Sequence, residues 1–392
     1  MRPGTTEMEI KKRNPMLTEA LSRRQICALE TLSRLPAIFP ALWSSPSSAQ
    51  RIPAFIPETI AERQSRSFEN GSLGADEHLS RTLLGRDHEI QRQEKLPCNE
   101  EQKTVLYLAY GSNLASETFL GNRGIRPLSQ LNVYVPELKL TFDLPGIPYG
   151  EPCFAGTRFR DTTSGDVGDN EHDSENSPLV SRQDYHKDRW RKPLIGVVYE
   201  VTRADYAHII ATEGGGRGYQ DVVVTCYPFP KDYNPSDAVP DHPDTTPFQA
   251  HTLLSPARGD SDKNSRCRWN TQTPLLRPDP CYAQPSARYL NLITYGAAEH
   301  NLPVSYRTYL STIRPYRITT FRQRVGQVIF LALWGPLILL LVKLTGWLAG
   351  EDGRSPEWLV KVENVVFAAM WMSYDSVFRG IFGDGERTIE DV

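Results

Sequence analysis

The sequence predicts an α+β fold: a small mixed β-barrel with flanking helices, a disordered arm before it and a transmembrane or membrane-associated helix after it. Three observations carry that prediction. Short apolar or alternating runs, closed by Gly, Pro, Asn or Asp, dominate residues 104–254 and read as strands. Helical spacing of apolar residues comes mainly late, at 286–313, so strands and helices do not alternate as a doubly wound sheet requires. Val328–Ala349 carries one charge, Lys343, in 22 residues.

Composition sets the outer bounds. The 392 residues, 39% hydrophobic with 17 Tyr, 14 Phe and 7 Trp, suffice for a packed core. Thirty Pro and 27 Gly call for long loops. A formal charge of −3 gives no global attraction for nucleic acid, so no nucleic-acid partner is expected. Six scattered Cys without a CxxC pair read as reduced thiols, not as a disulfide framework or a zinc site. No signal peptide is legible, and Glu7, Glu9, Glu19 and Glu30 argue against mitochondrial import.

Residues 1–100 form a mostly disordered region, because their Ser, Arg, Glu and Gln bury too little surface to offset ordering entropy. "LTEALSRRQICALETLSRL" (17–35) is the exception, with helical spacing. The domain proper spans 101–320. "TVLYLAYG" (104–111) is a buried strand that stops at Gly. "LNVYVPELKLTFDLPG" (131–146) holds one or two strands and "CFAGTRFR" (153–160) the next. An acidic insert, 161–191, follows; its His172 and His186 lack metal-ligand spacing. "PLIGVVYEVT" (193–202) is a strand, and "RADYAHIIAT" (203–212) a short helix that ends at "EGGGRGY". "QDVVVTCYPF" and "FQAHTLLS" are further strands, a second long loop covers 257–285, and "SARYLNLITYGAAEHNL" and "PVSYRTYLSTI" close the domain as helices.

The apolar segment 325–349 matches the roughly 20 residues that cross a bilayer core. Arg314, Arg317, Arg322 and Arg324 precede it and Glu351, Asp352 and Glu357 follow, which leaves the preceding domain on the cytosolic side. Two other readings stand beside spanning: a membrane-surface hairpin with "VENVVFAAMWM" (362–372) in the tail 350–392, and a core helix of a soluble, cytoplasmic protein.

Chemistry concentrates where the first strand ends. Gly111 and Ser112 offer backbone N–H groups with no bulky side chain in the way, a cradle for a carboxylate or an oxyanion. Tyr107 and Tyr110 sit three apart on the strand, where side chains tend to opposite faces, with Tyr110 the better candidate for the pocket wall and Tyr107 open to a simple core role. Ser112 has no His partner in the motif, so the loop binds and polarises without supplying a nucleophile. "AYGSNL" (109–114), "GVVYEVTRADYAHIIATEGGGRGY" (196–219) and "ARYLNLITYGAAEHNLPVSYRTYLSTI" (287–313), in that order, resemble the γ-glutamylcyclotransferase family. The resemblance covers residues 104–317 and includes neither the arm nor the apolar tail.

It implies conversion of a γ-glutamyl amine into 5-oxoproline and the free amine, without metal or organic cofactor. It also implies Glu213 as general acid and base, with Tyr107, Leu108, Ala109, Tyr110, Gly111, Ser112, Asn113 and Tyr289 binding substrate. The chemistry agrees. The substrate's α-amine attacks its own γ-carbonyl, so the protein need only fold the glutamyl group, move one proton and stabilise an oxyanion. An α-amine titrates near ~8 and an ordinary carboxylate near ~4.3, so a base of this kind calls for burial in a largely apolar pocket to narrow the gap. Tyr219 follows a spacer richer in glycine than the family pattern, and its role is open. Arg288 and Arg217 are candidate partners for a second substrate carboxylate. The substrate class stays open between γ-glutamyl amino acids and γ-glutamyl groups on glutathione adducts, the latter known for relatives in fungal secondary-metabolite pathways. A non-catalytic γ-glutamyl-binding module and a membrane scaffold recruiting partners through residues 1–100 are the competing classes.

Overall fold

The computed structural model describes residues 56–68, 104–160, 190–213, 220–254, 277, 282–350 and 353–389. The helix expected over 17–35, the acidic insert up to 189, most of the 257–285 loop, Arg217 and Tyr219 lie outside the described residues.

Strands β1 (Thr104–Ala109), β2 (Ser129–Val135), β5 (Leu194–Thr202), β6 (Gln220–Pro228) and β7 (Phe248–Leu254) close a barrel in the order β1-β5-β2-β6-β7. Neighbours are antiparallel except at the β1–β7 seam, which is parallel at Tyr107↔His251. β3 (Leu138–Ile147) and β4 (Glu151–Phe159) form a separate hairpin. The α+β barrel read from the sequence is therefore the observed architecture. The single apolar run of β1 and the "LIGVVYEVT" of β5 are hydrophobic on both faces because they sit in the middle of the core: Leu108, Ala109, Val197 and Val198 are fully buried. Gly196 lets the two backbones meet, since a Cβ there would lie 2.5 Å from the Ala109 carbonyl oxygen.

Part of the arm expected to be disordered is ordered. Residues 56–68 include a short helix, α1 (Ala61–Ser65). Glu58 bridges to Gln130, and Arg63 pairs with Glu200 at 3.0 Å where Thr104 and Ser129 also donate to that carboxylate. Three donors on one half-buried carboxylate hold it below its usual range against the cost of burial. Composition alone could not foresee this anchor, because its partners lie on three different strands.

Helix α2 (Arg203–Thr212) starts at Thr202, whose hydroxyl accepts the Asp205 N–H at 3.1 Å, and ends at Glu213. α3 (Ala287–Glu299) starts at Ser286, capped by the same device onto the Tyr289 N–H. α3 lies on the turn that follows β1: a Cβ at Gly296 would be 2.4 Å from the Leu114 carbonyl carbon, so only glycine permits the approach. α4 (Val304–Thr312) completes the domain.

α5 (Phe321–Leu348) is long and apolar enough to cross a membrane by length and composition, and a third of its most apolar window is buried. A capping box at Thr320 and Gln323 starts it. α6 (Glu357–Ser373) follows, where the sequence pattern placed a helix. Phe330, Ile338, Met370, Trp371, Tyr374 and Phe378 form a second core around Tyr149 of the β3–β4 turn. Both ends of α5 rest on the barrel domain. Gln327 near its start donates to the Tyr149 carbonyl at 2.6 Å, and Gly353 just past its end approaches Ala207 of α2 so closely that a Cβ would sit 1.8 Å from that carbonyl oxygen.

Candidate active site

At the C-terminal end of β1 a small cavity of about 30 Å³ is lined by Tyr107, Tyr110, Gly111, Ser112, Asn113, Ala155, Glu213, Leu253 and Tyr289. Five elements thus converge: the β1 end with the single turn Ser112–Leu114, β4 at Ala155, the C-cap of α2, β7 at Leu253 and the first turn of α3. Of the residues expected to bind substrate, Leu108 and Ala109 do not line the cavity. They are fully buried in the barrel, where the Leu108 carbonyl takes the Thr252 hydroxyl at 3.2 Å. The alternation argument for Tyr107 and Tyr110 also fails. β1 ends at Ala109, so Tyr110 has left the pleat, and both tyrosines reach the cavity.

The hydroxyls have distinct duties. Tyr110 Oη donates to the Leu253 carbonyl at 2.6 Å and is spent on the β7 rim. Tyr289 Oη accepts the Ala155 N–H at 3.1 Å, and a Cβ on Gly111 would lie 3.3 Å from it, so its own proton remains to be given to a ligand. Tyr107 Oη accepts from Asn113 Nδ2 at 2.8 Å. Burial, and then the charge of Glu213, push the Tyr107 and Tyr289 phenols well above their usual range, so both are hydroxyl donors at neutral pH. The amides of Gly111 and Ser112 donate to no described residue, which leaves them for a ligand.

Glu213 is the α2 C-cap, its N–H bonded to the Ile209 and Ile210 carbonyls at 3.0 and 3.2 Å. Its carboxylate is about one-fifth exposed. Two donors meet on Oε1: Asn113 Nδ2 at 3.2 Å and Arg123 Nη2 at 2.5 Å. Oε2 accepts no hydrogen bond from a described residue. The expected apolar surroundings are therefore replaced by phenols, an amide and a guanidinium.

Arg123 was not foreseen. It follows a π-helical turn, Glu117–Asn122, and its N–H reaches the Thr118 carbonyl at 2.9 Å. The signal available in the sequence is "GNRG", where Gly124 (φ +66°) terminates the turn and leaves a lone cation ten residues past Asn113. Arg288 does not serve the cavity: it is bonded to Glu151 at 2.7 Å and is 45% exposed. Among the described residues no cluster of His, Cys, Asp and Glu could hold a metal ion. The Cys153 and Cys226 side chains are buried, and the Cys153 thiol donates to the Ala283 carbonyl at 3.5 Å.

The cavity is small and tyrosine-walled, with one carboxylate and two backbone amides that donate to no described residue. The comparisons give this site a family. The chain is 31% identical over 283 residues to "Gamma-glutamyl cyclotransferase gliK" of Aspergillus fumigatus, an alignment covering 72% of this chain and 89% of that protein. It is also 31% identical over 296 residues to "Gamma-glutamyl cyclotransferase aclK" of Aspergillus oryzae, covering 73% of this chain and 92% of that protein. A solved "Gamma-glutamyl cyclotransferase" is similar at 18% identity and a TM-score of 0.33, over 56% of this chain and 92% of that one. Residues 320–381 match the model of the AclK C-terminal domain, so the α5–α6 region left out of the first resemblance has a family of its own. The chain belongs to the γ-glutamyl cyclotransferase family.

Proposed function

We propose that the chain releases 5-oxoproline and a free amine from a γ-glutamyl amino acid or a γ-glutamyl conjugate. The observation that carries this reading is the state of Glu213: it lines the cavity, both donors occupy Oε1, and Oε2 is left to take a proton. In the reaction the α-ammonium gives that proton to Glu213, and the amine attacks the γ-carbonyl of the same molecule. A C–N bond forms and closes a five-membered ring; the amides of Gly111 and Ser112 are placed to receive the oxyanion. Collapse breaks the original amide bond while Glu213 returns the proton to the leaving nitrogen, and the second proton shed by the ring nitrogen as the lactam forms departs on the released amine, which leaves as an ammonium. Protons balance without an added reagent. Tyr289 and Tyr107 give hydroxyl contacts to the glutamyl group, and Asn113 ties Tyr107 to the carboxylate.

A second substrate reading is removal of the γ-glutamyl group from glutathione adducts by the same site chemistry. Incubation of the full chain with γ-glutamyl-alanine, glutathione and a glutathione S-conjugate tests both. We expect 5-oxoproline from at least one; none from any of the three overturns the proposal in favour of a binding module. Product from glutathione alone reassigns the chain to the glutathione-specific group.

The proposal places the protein on a membrane with the barrel on the cytosolic side, held through α5 and α6. Ile329, Leu333, Leu337 and Leu340 are exposed along one face of α5, and Trp347 and Trp358 are exposed near its far end. Because both ends of α5 rest on the barrel domain, lipid contact along the helix is favoured over a crossing of about 30 Å. Flotation with liposomes tests binding, and release by carbonate separates surface contact from spanning.

A further inference from the structure

Arg123 lies outside the cavity lining, and no motif points to it. We propose that it is a positioning residue for the proton-transferring carboxylate, a role that rests on the reaction proposed above. Its guanidinium spans the last two residues of the α2 end. Nη1 donates to the Thr212 hydroxyl and Nη2 to Glu213 Oε1. The Thr212 hydroxyl is itself tied to the His208 and Ile209 carbonyls, at 2.9 and 3.0 Å, so the strut stands on the helix and not on a mobile side chain.

The need for such a strut follows from local sequence. Glu213 terminates its helix, and Gly214, Gly215 and Gly216 after it have no side chains to brace a carboxylate. A glutamate with three rotatable side-chain bonds would otherwise sample many orientations at the cavity edge. The planar fork of an arginine fixes one oxygen in direction as well as in distance, which an ammonium does not. With Oε1 held by Arg123 and Asn113, Oε2 is the proton acceptor in every turnover. The π-helical turn belongs to the same device. Its extra residue per turn changes the direction in which Arg123 leaves the backbone, and insertions of this kind recur at functional sites. The Arg123 side chain is 8% exposed and Glu213 about one-fifth, so the arginine half of the pair is the shielded one.

A purely structural role is the rival: a cation at a helix C-terminus is stabilising wherever it lies. Kinetics and crystallography of Arg123→Met and Arg123→Lys in the full chain separate the two. We expect Arg123→Met to lower kcat per folded molecule about 100-fold, the cost of a misplaced reacting group, with KM within about threefold; loss of the pair also lowers the melting temperature, whereas a purely structural role would lower it without changing kcat per folded molecule. Arg123→Lys should recover part of kcat. In the Met variant's crystal structure Glu213 should leave Asn113. An unchanged kcat in an active enzyme, or a carboxylate that stays on Asn113 without Arg123, overturns the inference. Should the Met variant not fold, the Lys variant's structure and rates decide by the same criteria. If the parent forms no 5-oxoproline from any γ-glutamyl probe, the proposed reaction falls, while the crystal structure still decides whether Arg123 orients Glu213.

Discussion

Among the described residues, Arg277 and Arg123 both pair with acidic side chains through a largely shielded guanidinium, and they are built to opposite ends. Arg277 uses every nitrogen: Nη1 and Nη2 reach Asp375 at 2.7 and 2.9 Å, Nε and Nη2 reach Glu386 at 3.1 and 2.8 Å, and the plane lies 4.0 Å over the Trp371 ring. Both Glu386 oxygens are taken. Arg123 holds one oxygen of Glu213 and leaves the other without a described partner beside a cavity. The first arrangement is saturated and ties the C-terminal segment to the barrel domain. The second is left one bond short, which is what a group that must exchange a proton requires. A buried ion pair by itself says little about function; the unfilled valence on it says more.

The comparison can be broken most forcefully at Arg277. Arg277→Ala leaves Glu386 buried without its partner, a loss of about 3–5 kcal/mol for pairs of this kind. Thermal unfolding should show a large drop in melting temperature while activity per folded molecule is retained. If activity per folded molecule falls instead, the two regions are coupled and the division is wrong. Gly296→Ala has the next largest effect, because it reaches the site through the backbone. The added methyl must displace Leu114 and with it the turn carrying Ser112 and Asn113. An overpacked contact of this kind costs about 1–3 kcal/mol, and kcat/KM should fall along with stability.

The smallest effect concerns pH. His300 bonds the Tyr199 hydroxyl at 2.9 Å and the Leu114 carbonyl at 3.1 Å, and burial lowers its affinity for a proton. The unfolded chain therefore protonates it first, so this contribution to stability is whole above about pH 6.5 and is lost as pH falls from there towards the lower folded value. Melting temperature measured from pH 8 to pH 5 should decline on the acid side, and His300→Gln should flatten that slope.

Much of this was legible in the sequence, and the failures have physical causes. β5, α2 and the helices at 287–312 fall where Gly, the capping residues Thr202 and Ser286 and apolar spacing put them. Local signals of that sort are written within a few residues. The barrel class followed from strands preceding helices. Gly111, Ser112, Glu213 and Tyr289, which the resemblance named as site residues, line one cavity. Arg123 was not legible, because its partners are 89 and 90 residues away and nothing local marks it beyond a glycine. Tyr107 meets both readings, being buried in the barrel core and lining the cavity; alternation did not separate it from Tyr110 because Tyr110 lies past the end of β1. The ordered 56–68 segment escaped because its anchors, Gln130 and Glu200, belong to other strands.

The central claim is that Glu213 moves the proton in release of 5-oxoproline. The most direct measurement is the rate of 5-oxoproline formation by Glu213→Gln beside the parent, on whichever γ-glutamyl substrate the parent turns over best. Glutamine keeps the shape and can still accept from Asn113 and Arg123, so the fold should stand while the rate falls by about 10²–10⁴-fold. A Gln variant that makes 5-oxoproline at close to the parental rate would contradict the account.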